Sequence, residues 1–183
     1  MGYDISLLEP KTKKPIYLKT SFADHGNTMV MGGSSEAHLG ITYNYANYYY
    51  DATEKDNRFA HKEDDKWEYG IRGLYGKTGQ ESIPMLLSLI ERISNKWMNE
   101  DGTWKISERS RTHYFDEEGK EIEAPIPFLL GEIKISKKEE ETYMVSEGDS
   151  SSYWEATAIN AIIPLKDMLM MALERPDGIW DGD

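Results

Sequence analysis

The strongest constraint on the fold is a helix-start signal near the middle of the chain. The stretch Thr78-Gly79-Gln80-Glu81 has the spacing of a capping box, in which the Thr and Glu side chains each accept a hydrogen bond from a free backbone N–H. Apolar residues then recur at helical spacing: Ile83, Leu86, Leu87, Ile90 and Ile93. The pattern predicts a helix over Ser82–Asn95 with one face in the core. Pro84 falls in its first turn, where a missing N–H costs little.

A second helix is predicted near the end of the sequence. Ser152-Tyr153-Trp154-Glu155 repeats the capping-box spacing, and an apolar stripe follows it. We expect a helix over Tyr153–Arg175, with a kink at Pro164, a stop at Pro176 and a turn at Asp177-Gly178. The stripe comprises Trp154, Ala158, Ile159, Ile162, Leu165, Leu169 and Leu173.

Most of the remaining sequence favours antiparallel strands. Alternating apolar residues between Tyr3 and Leu18 predict an N-terminal hairpin, and Asp101-Gly102 is a typical two-residue hairpin turn. A turn at 117–120 joins two further strands, so the region 97–136 is predicted as antiparallel β-structure. Residues 36–45 favour a strand that precedes a helical turn at 46–52, with one helix over the whole stretch as the alternative. Residues 137–151 are charged and rich in Ser, which predicts a loop.

These elements together predict an α+β fold, in which antiparallel strands and hairpins pack against two main helices. The length of 183 residues suits a single domain over 1–183. Within it, we expect a charged, exposed excursion at 54–69 and an inserted β-rich region at about 97–150.

The chain is strongly acidic. It has 33 Asp and Glu against 21 Lys and Arg, which gives a net charge of −12 and no cysteine. Such a charge keeps a protein soluble, but it also disfavours direct nucleic-acid binding and favours basic partner surfaces. The longest apolar run, Ile162–Leu173, is broken by Pro164, Lys166 and Asp167. We therefore expect a cytoplasmic protein, with no disulfide, no membrane association and no sequence-specific contact with nucleic acid.

The sequence contains no recognisable catalytic motif. The stretch 70–78 resembles a phosphate-binding loop, but Ile71 stands where the first glycine is required. No Ser lies in a G-x-S-x-G elbow, and the histidines His25, His38, His61 and His113 lack the spacing of metal ligands. We expect no enzyme, no cofactor and no metal. A metal-dependent enzyme built from distant carboxylates is the alternative that the sequence leaves open.

Clusters of carboxylates are the first candidate for a partner-binding surface. On paired strands, acidic side chains at every second residue stand about 6–7 Å apart, a spacing similar to that of phosphates. A protein with such a surface would occupy a channel that binds DNA, and it would release the counterions that DNA releases there. Solvated turns are the alternative interpretation of each cluster. The predicted partner-binding residues are Asp116, Glu117, Glu118, Glu121, Glu123, Glu139, Glu140 and Glu141.

A run of tyrosines is the alternative interface. Tyrosine is favoured at protein interfaces and stacks on nucleic-acid bases, although a Tyr-rich strand packed against a helix has the same pattern. The residues concerned are Tyr43, Tyr45, Tyr48, Tyr49 and Tyr50.

Several blocks of the sequence resemble a family of small phage and prophage proteins, most of which have no known function. These blocks are residues 1–5, 36–45, 71–84, 153–157 and 176–183. The chain also resembles a type II-A anti-CRISPR protein of that family. The resemblance implies an inhibitor that acts in the cytoplasm of a bacterial host cell, where it binds the type II CRISPR nuclease with its guide RNA and reduces binding or cleavage of target DNA. The alternative is a phage accessory protein that binds a host protein or a small ligand.

Overall fold

The computed structural model describes residues 2–20, 29–30, 35–63, 65–122 and 135–183. The regular structure of these residues includes three α-helices and nine strands, and all the strands pair antiparallel. The predicted α+β class is confirmed. The helices are α1 (Ala46–Thr53), α2 (Gly79–Trp97) and α3 (Ala158–Glu174). The strands are β1 (Gly2–Leu8), β2 (Met29–Val30), β3 (His38–Thr42), β4 (Ala60–Glu63), β5 (Lys66–Tyr69), β6 (Ile106–Phe115), β7 (Glu121–Ile122), β8 (Lys137–Ser146) and β9 (Ile179–Gly182).

The chain divides into two compact units. The first comprises residues 1–105 and 147–183, and the second comprises 106–146. The second unit falls inside the region that the sequence predicted as a β-rich insertion at about 97–150.

The first unit is built on a four-stranded sheet of order β2-β3-β1-β9. Tyr3, Ile5 and Leu7 alternate along β1 and are all buried, as are Leu39 and Ile41 on β3. One face of the sheet therefore enters the core. The predicted N-terminal hairpin is present only at its turn, where Leu8 pairs with Pro15 and the Glu9 N–H bonds to the Lys14 carbonyl at 2.9 Å. Its predicted long pairing is wrong, because the long partners of β1 are β3 and β9.

Helix α2 confirms the first capping box. The Thr78 hydroxyl accepts a hydrogen bond from the Glu81 backbone N–H at 3.2 Å, and the Glu81 carboxylate accepts one from the Thr78 N–H at 2.8 Å. The helix begins at Gly79, three residues earlier than predicted, so Pro84 lies in its second turn rather than its first. Leu86 and Ile93 of the predicted stripe are buried, but Leu87, which was predicted in the same stripe, is 50% exposed.

The second predicted capping box is wrong. Helix α3 begins at Ala158, and its N-cap is Thr157, whose hydroxyl accepts from the Asn160 N–H at 3.3 Å. The Glu155 N–H bonds instead to the Ser152 carbonyl at 3.2 Å, in a turn before the helix. The helix ends at Glu174, and the turn predicted at Asp177-Gly178 leads into β9.

The segment 36–53 forms a strand followed by a helix, as predicted, and the alternative of one helix over the whole segment is wrong. Strand β3 ends at Thr42, a 3₁₀ turn covers Tyr43–Tyr45, and α1 follows. The charged excursion at 54–69 contains a 3₁₀ turn, Asn57–Phe59, and the hairpin formed by β4 and β5. Phe59 is fully buried and fixes this excursion to the core of the first unit.

The second unit is a three-stranded sheet of order β7-β6-β8. The loop predicted at 137–151 is wrong over most of its length, because Lys137–Ser146 forms a ten-residue strand along β6. The turn predicted at 117–120 is confirmed: the Asp116 N–H bonds to the Lys120 carbonyl at 3.0 Å, and Gly119 adopts a φ of 79°. Most side chains of β8 are exposed.

Candidate functional site

The pairing of β6 with β8 decides which of the predicted acidic residues share a surface. His113 lies opposite Glu139, and Arg111 lies opposite Glu141. Opposed residues point to the same side of a sheet, and successive residues point to opposite sides. Glu139 and Glu141 therefore lie on the same side as His113, which we call the His113 face, whereas Glu140 lies on the other side. The run 139–141 does not form one continuous surface.

Cations accompany the carboxylates on the His113 face. Register with β7 places Glu121 on this face too. The His113 ring bonds through Nδ1 to Glu121 Oε1 at 2.5 Å and through Nε2 to Glu141 Oε2 at 3.1 Å. These bonds, the one to Glu121 foremost, raise the pKa of His113 above its usual value. Glu139 forms an ion pair with Lys137. Three of the predicted residues are thus bound by side chains of the second unit: Glu121 and Glu141 by His113, and Glu139 by Lys137.

The turn between β6 and β7 carries a pair of exposed acidic residues. Asp116 is half-buried, and its Oδ1 accepts hydrogen bonds from the Glu118 and Lys120 N–H groups, both at 2.9 Å. This carboxylate shapes the turn, whereas the side chains of Glu117 and Glu118 are exposed. We call Glu117 and Glu118 the acidic tip. Glu123 lies outside the described residues.

Most of the predicted tyrosine interface is buried. Tyr45, Tyr48 and Tyr49 are at most 6% exposed, so a partner in solution cannot reach them, and the interpretation as a packed core element is correct for these three. The Tyr49 hydroxyl donates to the Ala161 carbonyl at 2.9 Å, and burial raises the pKa of Tyr49.

The two remaining tyrosines differ in their surroundings. Tyr43 is half-buried, and its hydroxyl accepts a hydrogen bond from Arg72 Nη2 at 2.9 Å. Tyr50 is 42% exposed, and it opens onto a recess.

Sequence reasoning missed that recess. Tyr50, Glu54, Glu68 and Tyr69 line an open recess of about 270 Å³ between α1 and the β4–β5 hairpin. A second recess of about 520 Å³ is lined by Tyr69 and also by Asn57, Ala60 and Trp67. We call the first of the two the aromatic recess, because Glu68 and Trp67 are successive residues of β5 and point to opposite sides of the hairpin. The signal in the sequence was the alternation of charged and aromatic residues in Lys66-Trp67-Glu68-Tyr69, which is typical of a strand with one aromatic face.

No group of three His, Asp or Glu side chains suited to a metal ion occurs in the part of the chain that the structure describes. His38 lies on β3, His61 on β4 and His113 on β6. His25 lies outside the described residues.

Comparison with protein-family models, with curated proteins and with solved structures finds no match to this chain. Among the helices in the described ranges, none combines the length and apolar character needed to cross a lipid bilayer.

Proposed function

We propose that this protein inhibits a type II CRISPR nuclease by binding the nuclease–guide RNA complex in the host cytoplasm and reducing its binding or cleavage of target DNA. The observation that carries the proposal is the acidic tip on an exposed sheet. Residues 106–146 contain ten acidic and six basic side chains, and Glu117 and Glu118 are exposed at the turn between two strands. The resemblance of several sequence blocks to small phage proteins supports the same interpretation.

The physical argument rests on charge. A type II effector holds its guide–target duplex in a positively charged channel that contacts the nucleic-acid backbone. An acidic protein that occupies part of such a surface gains the Coulomb energy and the counterion release that DNA would otherwise gain there. The net charge of −12 adds a long-range attraction that speeds association at low salt.

The proposed inhibitor acts by occupancy and not by catalysis. Inhibition should therefore be stoichiometric, and it should be complete when this protein is about equimolar with the nuclease–guide RNA complex. A catalytic inactivator would instead act at substoichiometric amounts, and the extent of inhibition would increase with incubation time.

The test is a DNA-cleavage assay with purified type II nuclease, its guide RNA and increasing amounts of this protein, combined with a pull-down of the nuclease. We expect cleavage to fall as the inhibitor approaches the concentration of the complex. Undiminished cleavage in large molar excess, with no nuclease retained in the pull-down, would refute the proposal.

A second function, an accessory protein that binds a host protein or a small ligand, is favoured by one observation. Tyr50, from the tyrosine run, opens onto the aromatic recess. Deletion of 54–69 would remove the buried Phe59, so point substitutions in the recess separate the two functions better than a deletion.

A further inference from the structure

The outer edge of β8 is a surface on which a further strand can bind. Strand β8 is ten residues long and pairs with β6 on one side, and no other strand of the described ranges lies along its other side. Residues 137–142 are all exposed. A long, accessible strand edge presents a row of backbone N–H and C=O groups that can pair with another chain.

The register of β8 shows which backbone groups point outwards. The Glu147 N–H donates to the Lys105 carbonyl at 2.9 Å, where the β6–β8 register continues beyond the pair of Ile106 and Ser146. In an antiparallel pair, every second residue of a strand bonds to its partner strand, and the residues between them direct their backbone groups away from it. The outer edge therefore carries the backbone groups of Lys138, Glu140, Thr142 and Met144.

The order of charges along this edge matches a second copy of the chain. The sequence Lys137-Lys138-Glu139-Glu140-Glu141 has cations at one end and carboxylates at the other. When two copies pair antiparallel around Glu139, Lys137 of each copy faces Glu141 of the other. Lys138 of each copy likewise faces Glu140 of the other. Opposed residues of opposite charge stabilise an antiparallel pair, whereas like charges destabilise it.

Other registers of the same edge are less complementary. Centring the pairing on Glu140 opposes Glu139 with Glu141 and Glu140 with itself, so that only like charges meet. Centring it on Lys138 keeps the attraction between Lys137 and Glu139 but opposes the two Lys138 ammonium groups. Registers centred closer to the end of β8 bring no opposite charges of the strand together. The register at Glu139 opposes a single like pair, the two Glu139 carboxylates.

The contacts that these side chains make within one chain are compatible with the pairing. Lys137 binds Glu139, and Glu141 Oε2 lies 3.1 Å from His113 Nε2. The side chains of Lys137, Glu139 and Glu141 are at least 50% exposed. An ammonium group has three N–H donors and a carboxylate accepts several hydrogen bonds, so each of these groups can bind a second partner.

We propose that the outer edge of β8 pairs antiparallel with the same edge of a second copy, centred on Glu139, and so forms a two-fold symmetric dimer with a continuous six-stranded sheet. A two-fold interface uses the same surface on both copies, which the self-complementary order of charges provides. The interface is narrow, so the association is weak. Glu140 and Glu141, predicted as partner-binding residues, then serve self-association. This inference is independent of the proposed function, because both partners are the same chain.

Sedimentation velocity of the intact protein, from micromolar to submillimolar concentration at low salt, is the first test. We expect the average mass to rise from that of a monomer towards that of a dimer. High salt should weaken the association, because exposed charge pairs are screened. A monomer at every concentration, or a dimer that high salt does not weaken, would overturn the proposal.

Charge swaps on the outer edge test the register. Lys138→Glu and Glu140→Lys each oppose like charges at two symmetric positions and should each raise the dissociation constant of the dimer about tenfold. These two variants change the net charge in opposite directions, so a general effect of charge cannot weaken both. The double variant Lys138→Glu/Glu140→Lys restores the opposite pairs and should dimerise within about threefold of the parent. Failure of the double variant to regain association would overturn the assigned register.

The absence of cysteine from the sequence allows a direct measurement of the register. The two Glu139 residues face each other in a non-hydrogen-bonded pair, whose Cα atoms lie about 4.5 Å apart, within the range of a disulfide. Glu139→Cys should therefore give a disulfide-linked dimer under mild oxidation. Thr142→Cys is the control, because its copy lies six residues out of register, about 20 Å away. Equal cross-linking of the two variants, with melting temperatures equal to that of the parent, would overturn the proposal.

Discussion

The Tyr48 hydroxyl donates a hydrogen bond to Glu147 Oε2 across 2.7 Å, although the two residues are 99 positions apart in the chain. The same oxygen accepts the Ala158 N–H at 2.9 Å, at the first residue of α3. Glu147 is fully buried. Its carboxylate therefore joins α1 to the start of α3 and satisfies an N–H group that a helix start leaves free.

We expect Tyr48→Phe to destabilise the protein, because it removes a donor from a buried carboxylate. The free energy of unfolding should fall by about 1–3 kcal/mol, measured by urea denaturation. Tyr17→Phe is the matched control, since Tyr17 is 68% exposed and should change stability by less than about 0.5 kcal/mol. Equal stabilities of the two variants would contradict the role of the bond.

Local signals along the chain predicted α2 well. The capping box and the stripe containing Leu86 and Ile93 are short-range features, and the structure contains both. The start of α3 was mispredicted because Ser152 and Glu155 have the right spacing, but the N-terminus of that helix is also bound by Glu147. No sequence pattern reveals that tertiary contact.

Gly73→Ala should be severely destabilising. Gly73 lies in a 3₁₀ turn, Ile71–Leu74, and an added Cβ would lie 2.4 Å from the backbone of Phe59, so this turn and the base of the β4–β5 hairpin would have to separate. We expect a loss of at least about 3 kcal/mol in unfolding free energy.

Gly102→Ala is the control for that substitution. A side chain at Gly102 would strain the backbone, which has a φ of 83°, but it would meet no neighbour, because nothing lies within 4 Å of an added Cβ. Its cost should be about 1 kcal/mol. Thermal denaturation of the two variants measures the difference, and a smaller loss for Gly73→Ala than for Gly102→Ala would contradict the packing described.

His113 should make the stability of the second unit depend on pH. Its pKa is raised in the folded state by Glu121 and Glu141. The stabilisation is therefore complete below the unfolded pKa of about 6.5 and is lost as pH rises through the folded pKa. NMR titration of the His113 ring should give a pKa above that of an unfolded peptide. Glu121→Gln should lower this pKa, and an unchanged value in that variant would contradict the contact.

The ion pairs of Asp56 should make the stability of the protein fall at acidic pH. Its carboxylate is bound by Arg58 at 2.6 Å and by Arg92 at 2.8 Å, and these contacts, chiefly the one to Arg58, lower the pKa of Asp56. The stabilisation is present above the unfolded pKa of about 3.9 and is lost as pH falls towards the folded value. Asp56→Asn should lower the melting temperature at pH 7, and the difference from the parent should narrow below about pH 4. A difference that is independent of pH would contradict this account.

The candidate sites were less predictable than the helices. The carboxylates Glu139, Glu140 and Glu141 are adjacent in sequence, but β8 directs the middle one to the opposite side. The strand itself was missed because Glu and Lys have low β-propensity, which pairing along β6 overrides. Tyr50 and Gly70 come together only through the path of the chain between α1 and the β4–β5 hairpin. Contacts between residues that are far apart in the chain leave no periodic pattern in the sequence.

The most direct test of the central claim measures binding of labelled target DNA to a catalytically inactive nuclease–guide complex as this protein is added. We expect the parent to displace DNA, with a potency that falls as salt rises. The double variant Glu117→Lys/Glu118→Lys should need about tenfold more protein, a change of about 1.4 kcal/mol. Glu91→Lys/Glu100→Lys, which makes the same charge change at exposed positions of the first unit, should stay close to the parent. Failure of the parent to displace DNA, or equal potency of the two double variants, would contradict the account.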